Sequence, residues 1–511
     1  MSITMSNFGN NGRLANQLFQ YASMIGFANK YNTNFYLPDW KYKNYFEKCI
    51  PQGTASFNGT PIKIAEPQFH YTPEYFDQFD FKNKNYDFTG YYQSKKYWQH
   101  CEDEVLESLR FKKEFVDKVK SKYSSLFDKE TIAIHIRRGD YVGNKFYYQL
   151  PITYFILALF QIPDWKKKNI LVFSDDSKYA DFHFKALPNA TIIKGNSDIF
   201  DMCLGSMCDN FILSNSSYSW MMAFFVNKKS KKVIYPAHYF TGNLNTDDFW
   251  LDSWEKFDHV HKKIDLTDTT FMIPLQYDHK DRIENANLNV RLLCTYFECE
   301  VSIGENISDR FKHLTSNYSK FNYVGFHRTR ILNHLALNSK TPIIVNWDAD
   351  VFSAPLQIFQ AVEMIRNGID VVYPYDGTFE KAPRKPCYSV LERTNDLASI
   401  SNIKCATATG SFGGAIFFKK ESYFEGGGEN ENFISWGPED GERYVRFVKL
   451  GYKVERVNGP IYHMEHFRGV NSSHKNPYKA KNKREYEHIA SLSAEDLKEY
   501  INTWKIKTKS I

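Results

Sequence analysis

The 511-residue chain lacks any apolar run long enough to cross a membrane: the longest, around Phe155–Phe160, falls far below the roughly 18–20 residues a helical span needs. Its first residues, MSITMSNFGNNGRL, have neither the basic n-region nor the apolar h-region of a secretory signal. The eight cysteines (49, 101, 203, 208, 294, 299, 387 and 405) form no CxxC pair and have no His-rich companion, which excludes a zinc finger and a dense disulfide framework. Charge of one sign is not concentrated either. A formal net charge of +6 is spread along the chain, so nucleic acid is not an expected partner. These absences together describe a soluble, cytoplasmic chain with reduced thiols. The sequon Asn215-Ser216-Ser217 points the same way, because a glycan there would block a loop that the motifs below assign to phosphate binding. The densest basic cluster, KAKNKR at 479–484, reads as a solvated helix face, with a lipid- or glycan-facing patch as the alternative.

What is present is ample core: 42% apolar and 17% aromatic residues, at a mean hydropathy of −0.51 that fits a globular chain. The length exceeds one ordinary core. In the first half, strands alternate with helices, the pattern of a parallel α/β sheet. Leu14, Leu18, Tyr21, Ile25 and Ala28 fall at helical spacing, and strands are expected at 34–38, 131–136, 169–173, 210–213 and 232–235. Periodicity fades over 238–269. A second nucleotide-binding sheet then starts with FMIPLQY (271–277), a helix through 283–293, CEVSIGE (299–305) and IIVNWDAD (343–350). The expected organisation is a first domain over 1–262, a linker at 263–269, a second domain over 270–475, and a Lys-rich helical tail from 476 to 511.

Two motif sets solve one chemical problem by different means. A departing nucleoside diphosphate gathers negative charge, which arginine forks, backbone N–H groups and helix N-termini can meet without metal. The segment HIRRGDY (135–141) supplies forks, and strand alternation would point His135 with Arg137 one way and Ile136 with Arg138 the other. It is accompanied, in order, by GRLANQLFQYA (12–22), GYYQSKKYW (90–98), LPITYF (150–155), VFSDD (172–176) and SNSSYSWMMAFF (214–225). Over about 240 residues the chain resembles the α-1,2-fucosyltransferases, inverting enzymes of GT-B-like, Rossmann-type fold that use GDP-fucose and no metal. The resemblance implies that Arg137 grips the β-phosphate with Arg138 as support, and that Arg13 and Asn16 approach the donor sugar. It also implies that Asn215, Ser216, Ser217 and Ser219 meet the nucleotide, with Asp175 and Asp176 near guanine or ribose. Inversion needs a base for the acceptor hydroxyl, for which Asp140 and His135 are the candidates; Asp140 has the alternative of simply holding the arginines. Where relatives often read SWWGAW, this chain has Met221 and Met222.

The second set is carboxylate-based. Asp348 and Asp350 end an apolar strand two residues apart, so both would project to one side and could hold Mg²⁺ or Mn²⁺. In WGPED (436–440), Pro438 suits the first helical position, while Glu439 and Asp440 suit the first turn as structural caps as well as chemistry would. The order of Ile273-Pro274, Arg282, RTRILN (328–333), DADV, GGAIFF, WGPED and a closing histidine is similar to metal-dependent inverting GT-A glycosyltransferases of the galactosyltransferase and chondroitin-polymerase kind. That similarity implies Asp348 and Asp350 as ligands of the metal and the UDP-sugar, Arg328 and Asn333 at the donor, and Asp440 as base. Glu439 and Trp436 would meet the acceptor. The third metal ligand is His466, with His463 as the alternative. The chain is therefore read as a bifunctional glycosyltransferase: GDP-fucose and a UDP-hexose or UDP-N-acetylhexosamine as donors, a glycan as acceptor, and metal in the second domain only. The alternatives are another deoxysugar donor, such as a rhamnose nucleotide, and a scaffold in which one domain binds glycan without turnover.

Overall fold

A computed structural model describes residues 2–48, 60–80, 83–225, 232–470 and 475–504. Cys49 and the final residues 505–511 of the expected tail lie outside the described residues. The chain divides into two compact units, Met1–Ala180 with Asn189–Val260, and Asp181–Pro188 with His261–Ile511.

The first unit holds two all-parallel sheets. One has four strands in the order Asn34–Tyr36, Ser2–Thr4, Tyr86–Thr89, Ile62–Ala65. The other has six, in the order Glu255–Phe257, Lys232–Pro236, Asn210–Ile212, Thr131–Ile136, Asn169–Ser174, Ala190–Ile192. Strand Thr131–Ile136 is buried at every residue, as its unbroken TIAIHI run requires of a central parallel strand covered on both faces. The chain moves outward from it through Asn169–Ser174 to Ala190–Ile192, then returns to its other side with Asn210–Ile212. That reversal makes a topological switch point, where open α/β sheets bind ligands beyond the carboxyl ends of the strands. HIRRGD, SDD and SNSS follow the three strands around it.

The second unit is built on a mixed seven-stranded sheet ordered Asn317–Phe321, Phe297–Asn306, Ile264–Gln276, Ile343–Trp347, Ala415–Lys419, Val371–Tyr373, Val454–Arg456, in which Ala415–Lys419 runs antiparallel to both neighbours. A four-stranded sheet, Val351–Phe352, Ile461–Met464, Phe379–Ala382, Ala406–Ala408, flanks the turn that follows Trp347. Here the order reverses between Ile264–Gln276 and Ile343–Trp347, and the carboxyl ends of those two strands frame a second switch point.

Three expectations are corrected. Residues 263–269 are not a linker: strand Ile264–Gln276 runs through them, with Ile264 and Leu266 buried and Asp265 and Thr267 exposed. That period-two alternation is the signature of a half-buried strand, masked in the sequence by its polar members. The Arg137–Arg138 and Asp348–Asp350 pairs lie beyond the ends of their strands, at Ile136 and Trp347, so alternation does not set their directions. Pro438 occupies the position before the helix Glu439–Lys449 rather than its first residue.

Candidate active sites

In the first unit, Gly12, at φ +79°, lets the chain turn into the helix Leu14–Tyr31 with Arg13 at its N-cap. Arg13 is largely exposed, and its guanidinium lies 3.7 Å from the Asp140 carboxylate. Arg137 bonds the other oxygen of Asp140 and pairs with Asp175 at 2.9 Å. Asp140, itself half exposed, thus sits between two arginines. Arg138 stacks 3.7 Å over the Tyr179 ring and reaches Asp176 at 3.4 Å, while its backbone N–H donates to Asp175. The two aspartates expected near the nucleoside therefore brace the arginines.

The serine-rich loop divides similarly. Ser217 donates to the Asn16 side-chain oxygen at 2.8 Å, which also accepts from Gln93 at 2.7 Å, so GRLANQ, GYYQ and SNSS converge on one amide. Asn215 spends its amide N–H groups on the carbonyls of Tyr148 and Tyr239, and Ser216 caps the helix Ser217–Phe224. Ser219 contacts Nδ1 of His135 at 2.6 Å. Asn215, Ser216 and Ser219 are thus committed to shaping the loop, because each is buried and already has a protein partner. Burial, with Arg137 adding, depresses the His135 pKa to about 3, so this ring is neutral and holds the loop. Met221 and Met222 are fully buried.

Glu66 has no local signal in the sequence. Glu66 Oε2 accepts from the Tyr91 and Tyr92 N–H groups at 2.7 and 3.0 Å, while its Oε1 is buried without a hydrogen-bond partner. Burial pushes its pKa up to about 7, against the pull of those two N–H groups. Between the ordinary carboxyl value and about 7 the folded form keeps a proton that the unfolded chain has lost, so stability falls as pH rises through that window. In Glu66→Gln the amide oxygen can take the two N–H groups and nothing titrates. The first unit's melting temperature is expected to drop between about pH 4.5 and about pH 7 in the parent protein, and by several degrees less in the variant. Parallel pH profiles in calorimetry would contradict this.

In the second unit, a cleft of about 370 Å³ brings together Pro274, Arg282, Arg328, Asp348, Asp350, Trp436, Glu439, Asp440, His463 and His466. Asp350, 4% exposed, meets His466 Nε2 at 3.1 Å, His463 Nε2 at 3.5 Å and Arg282 at 3.4 Å. One ligand atom from each of Asp350, His463 and His466 lies within 4.8 Å of the others, a donor set of one carboxylate and two imidazoles that could hold a divalent metal ion. Both histidines join, rather than one of two. Asp348 turns to Arg328 at 2.9 Å and stands outside the cluster. Burial drives the Asp350 carboxyl upward, but His463, His466 and Arg282 outweigh it and hold it below the usual range.

Arg328 also reaches Asp440 at 3.4 Å, and Arg443 donates to the same oxygen at 2.9 Å. Arg443 is fixed from behind by both oxygens of buried Glu429, at 2.7 Å each, and Glu429 in turn accepts from Asn346 on the strand that leads to Asp348. Burial favours a protonated Asp440, yet these two arginines hold its pKa below the ordinary value. Its neighbour Glu439 is pushed the other way, to about 8, by burial and then by Asp440. Two adjacent carboxyl groups with divergent pKa values are a common basis for dividing acid–base roles. Gly413 is required here, since a Cβ would stand 2.8 Å from Asp440 Oδ2. Asn333 does not line the cleft: its amide is fully used by Glu429, Glu431 and Tyr423.

Two family models match the chain. Residues 2–257 match glycosyl transferase family 11, and residues 398–470 match the N-terminal domain of galactosyltransferase. The O-antigen biosynthesis glycosyltransferase WbnK of Escherichia coli is 39% identical over 132 residues, covering 24% of this chain and 43% of that protein. This chain thus spans less than half the length of that relative. An alpha-1,2-colitosyltransferase of Escherichia coli is 26% identical over 299 residues, 50% of this chain and 100% of that one. Among solved structures, fucosyltransferase NodZ from Bradyrhizobium covers 44% of this chain and 92% of its own, at 12% identity and a TM-score of 0.31. Among the described residues no helix is long and apolar enough to cross a membrane.

Proposed function

The chain belongs to glycosyl transferase family 11 and carries a galactosyltransferase-like second domain; from that premise we propose that this two-domain glycosyltransferase uses two donors by two chemistries. The first domain moves L-fucose from GDP-fucose to a glycan hydroxyl, with inversion, an α-1,2 linkage and no metal. The second moves a hexose or N-acetylhexosamine from a UDP-sugar with Mn²⁺ or Mg²⁺. The observation that carries the reading is the contrast between Arg13 and Arg137 flanking Asp140 in one domain and Asp350 with two histidines in the other.

In the first domain Arg137 and Arg13 take up the charge that develops on the leaving diphosphate, and Arg138 is held as a brace by Asp176 and Tyr179. Ser217 and Asn16 bound the donor. Asp140 is the base: it receives the acceptor hydroxyl proton as that oxygen bonds the anomeric carbon on the face opposite GDP. His135 keeps the serine loop in place.

In the second domain Asp350, His463 and His466 would hold the ion, which when bound neutralises charge on the UDP leaving group. Arg328 and Asp348 contact the donor. Asp440, kept ionised by Arg328 and Arg443, takes the acceptor proton. Glu439, which holds its proton near neutrality, orients the acceptor by hydrogen bonding, and Trp436 offers the sugar an aromatic face. A second reading for the first domain, favoured by the full-length similarity to the colitosyltransferase, is a colitosyl donor.

Thermal shift against nucleotide sugars tests the reading, since a ligand that binds only the folded state raises its melting temperature. GDP-fucose is expected to stabilise the protein in EDTA, and a UDP-sugar only with Mn²⁺. Stabilisation by UDP-sugars that is equal in EDTA, or no response to any GDP-sugar, would overturn the corresponding half.

A further inference from the structure

We infer that the helix Lys479–Ser491 supports the acceptor site from beneath, and that Asn476 and Asn482 are positioning residues for Trp436. The inference rests on the acceptor role proposed above for Trp436. It concerns the basic segment that the sequence alone offers as a solvated face.

Trp436 is 37% exposed at the cleft and stands on a three-residue arch, Ile434–Trp436. Asn482, completely buried, donates from its amide to the Ile434 carbonyl at 2.9 Å and, more weakly, to the Trp436 carbonyl at 3.4 Å. Asn476, also buried, donates to the Trp436 carbonyl at 2.6 Å and to that of Ile434 at 3.4 Å. The Asn482 side-chain oxygen completes the clamp by accepting from the Ile434 N–H at 3.4 Å. Two amides therefore grip the same two carbonyls, one on each side of Ser435.

Ser435 is held at φ +56°, a left-handed conformation that a non-glycine residue adopts only where its surroundings impose it. Its N–H donates to the Phe326 carbonyl at 2.9 Å, which supplies the third anchor. On the far side of the tryptophan, Gly437 has no room for a side chain, because a Cβ would stand 2.6 Å from the Asn482 amide nitrogen. The glycine of the WG pair is thus explained by the helix packed beneath it. Asn476 also lies just ahead of that helix, its side chain accepting from the Tyr478 N–H at 2.9 Å, so loop and helix entrance are tied through one residue. The lysines and Arg484 of the segment face outward while Asn482 faces the arch.

The consequence is a division of labour. The donor groups Asp348, Asp350 and Arg328 depend on strands and on the Arg282 and Arg328 ion pairs, and among the described residues none of them hydrogen-bonds or ion-pairs with this helix. Loosening the clamp should therefore act on acceptor binding and leave donor binding nearly alone.

The test compares Asn482→Ala, Asn482→Asp, Asn476→Ala and Trp436→Ala in the full-length protein, using UDP-sugar transfer with Mn²⁺ and titrating each substrate separately. The aspartate would aim a carboxylate at two carbonyl oxygens and should be the worst of the three asparagine variants. The expected result is an acceptor KM raised about tenfold or more by each asparagine change, with the UDP-sugar KM within about twofold of the parent. Melting temperature with UDP and Mn²⁺ identifies any variant that fails to fold, and Asn476→Ala then stands in for it. If Trp436→Ala raises the acceptor KM and the asparagine variants do not, the positioning role is wrong. If Trp436→Ala itself leaves the acceptor KM unchanged, the acceptor reading beneath it is wrong. Equal losses for donor and acceptor would make the helix a general support and overturn the inference.

Discussion

Replacing Asp350 by asparagine is expected to lower UDP-sugar transfer by more than about 100-fold, because even partners outside the ligand sphere typically cost 10–100-fold in metal affinity or activity. The carboxylate is the single anion of its cluster: His463, His466 and Arg282 all converge on it, and it is nearly inaccessible to water. An asparagine of the same shape keeps the packing but removes the charge that balances the arginine and would attract a dication. Initial rates over a Mn²⁺ series, with a Mn²⁺-dependent melting shift as an independent readout, check this. The rate and the shift should both go, while transfer from the GDP-sugar stays at the parent level. A variant with parent rates and the parent Mn²⁺ response would remove Asp350 from the site.

Arg137→Lys should produce the converse pattern, a loss of GDP-sugar transfer on the order of 10²–10³-fold with the UDP-sugar reaction intact. Arg137 presents a planar fork that engages Asp140 and Asp175 through different nitrogens, and this geometry would let it hold two phosphoryl oxygens at once. A lysine keeps the charge as a single point. It cannot span the same pair of partners, so Asp140 would lose one of the two arginines between which it sits. Steady-state kinetics with GDP-fucose decides the matter. Parent-like kcat/KM in the lysine variant would mean that charge alone suffices and that the fork is irrelevant.

The loops that carry these residues were readable because central parallel strands leave continuous apolar runs, as TIAIHI and IIVNW do, and the polar residues just beyond them mark the ligand edge. What lay beyond reading was any partner supplied from far along the chain. Arg282 stands in the motif order, but nothing local says that it meets Asp350 across 68 residues, and Glu429, which meets Asn346 across 83, has no local pattern at all. The same limit makes His463 and His466 alternatives in the sequence: spacing says nothing about a strand end and its following turn folding back on one carboxylate. Residues assigned to the nucleotide by motif, among them Asn215, Ser219 and Asn333, have side chains committed to backbone and side-chain partners. Motif spacing reports that a residue belongs to a loop. It does not report which way its amide points.

Among the described residues every pair of sheet strands in the first unit is parallel, with Ile3 paired to Tyr86 and Ile132 to Asn210. No hairpin can form early to seed such a sheet, since parallel neighbours need a crossover between them, and each closure must pay its chain entropy before the contact rewards it. The first domain should therefore fold slowly by the standards of its size and spend that time with unpaired strand edges exposed to other chains. Yield of active protein would then depend on synthesis rate and temperature through this domain.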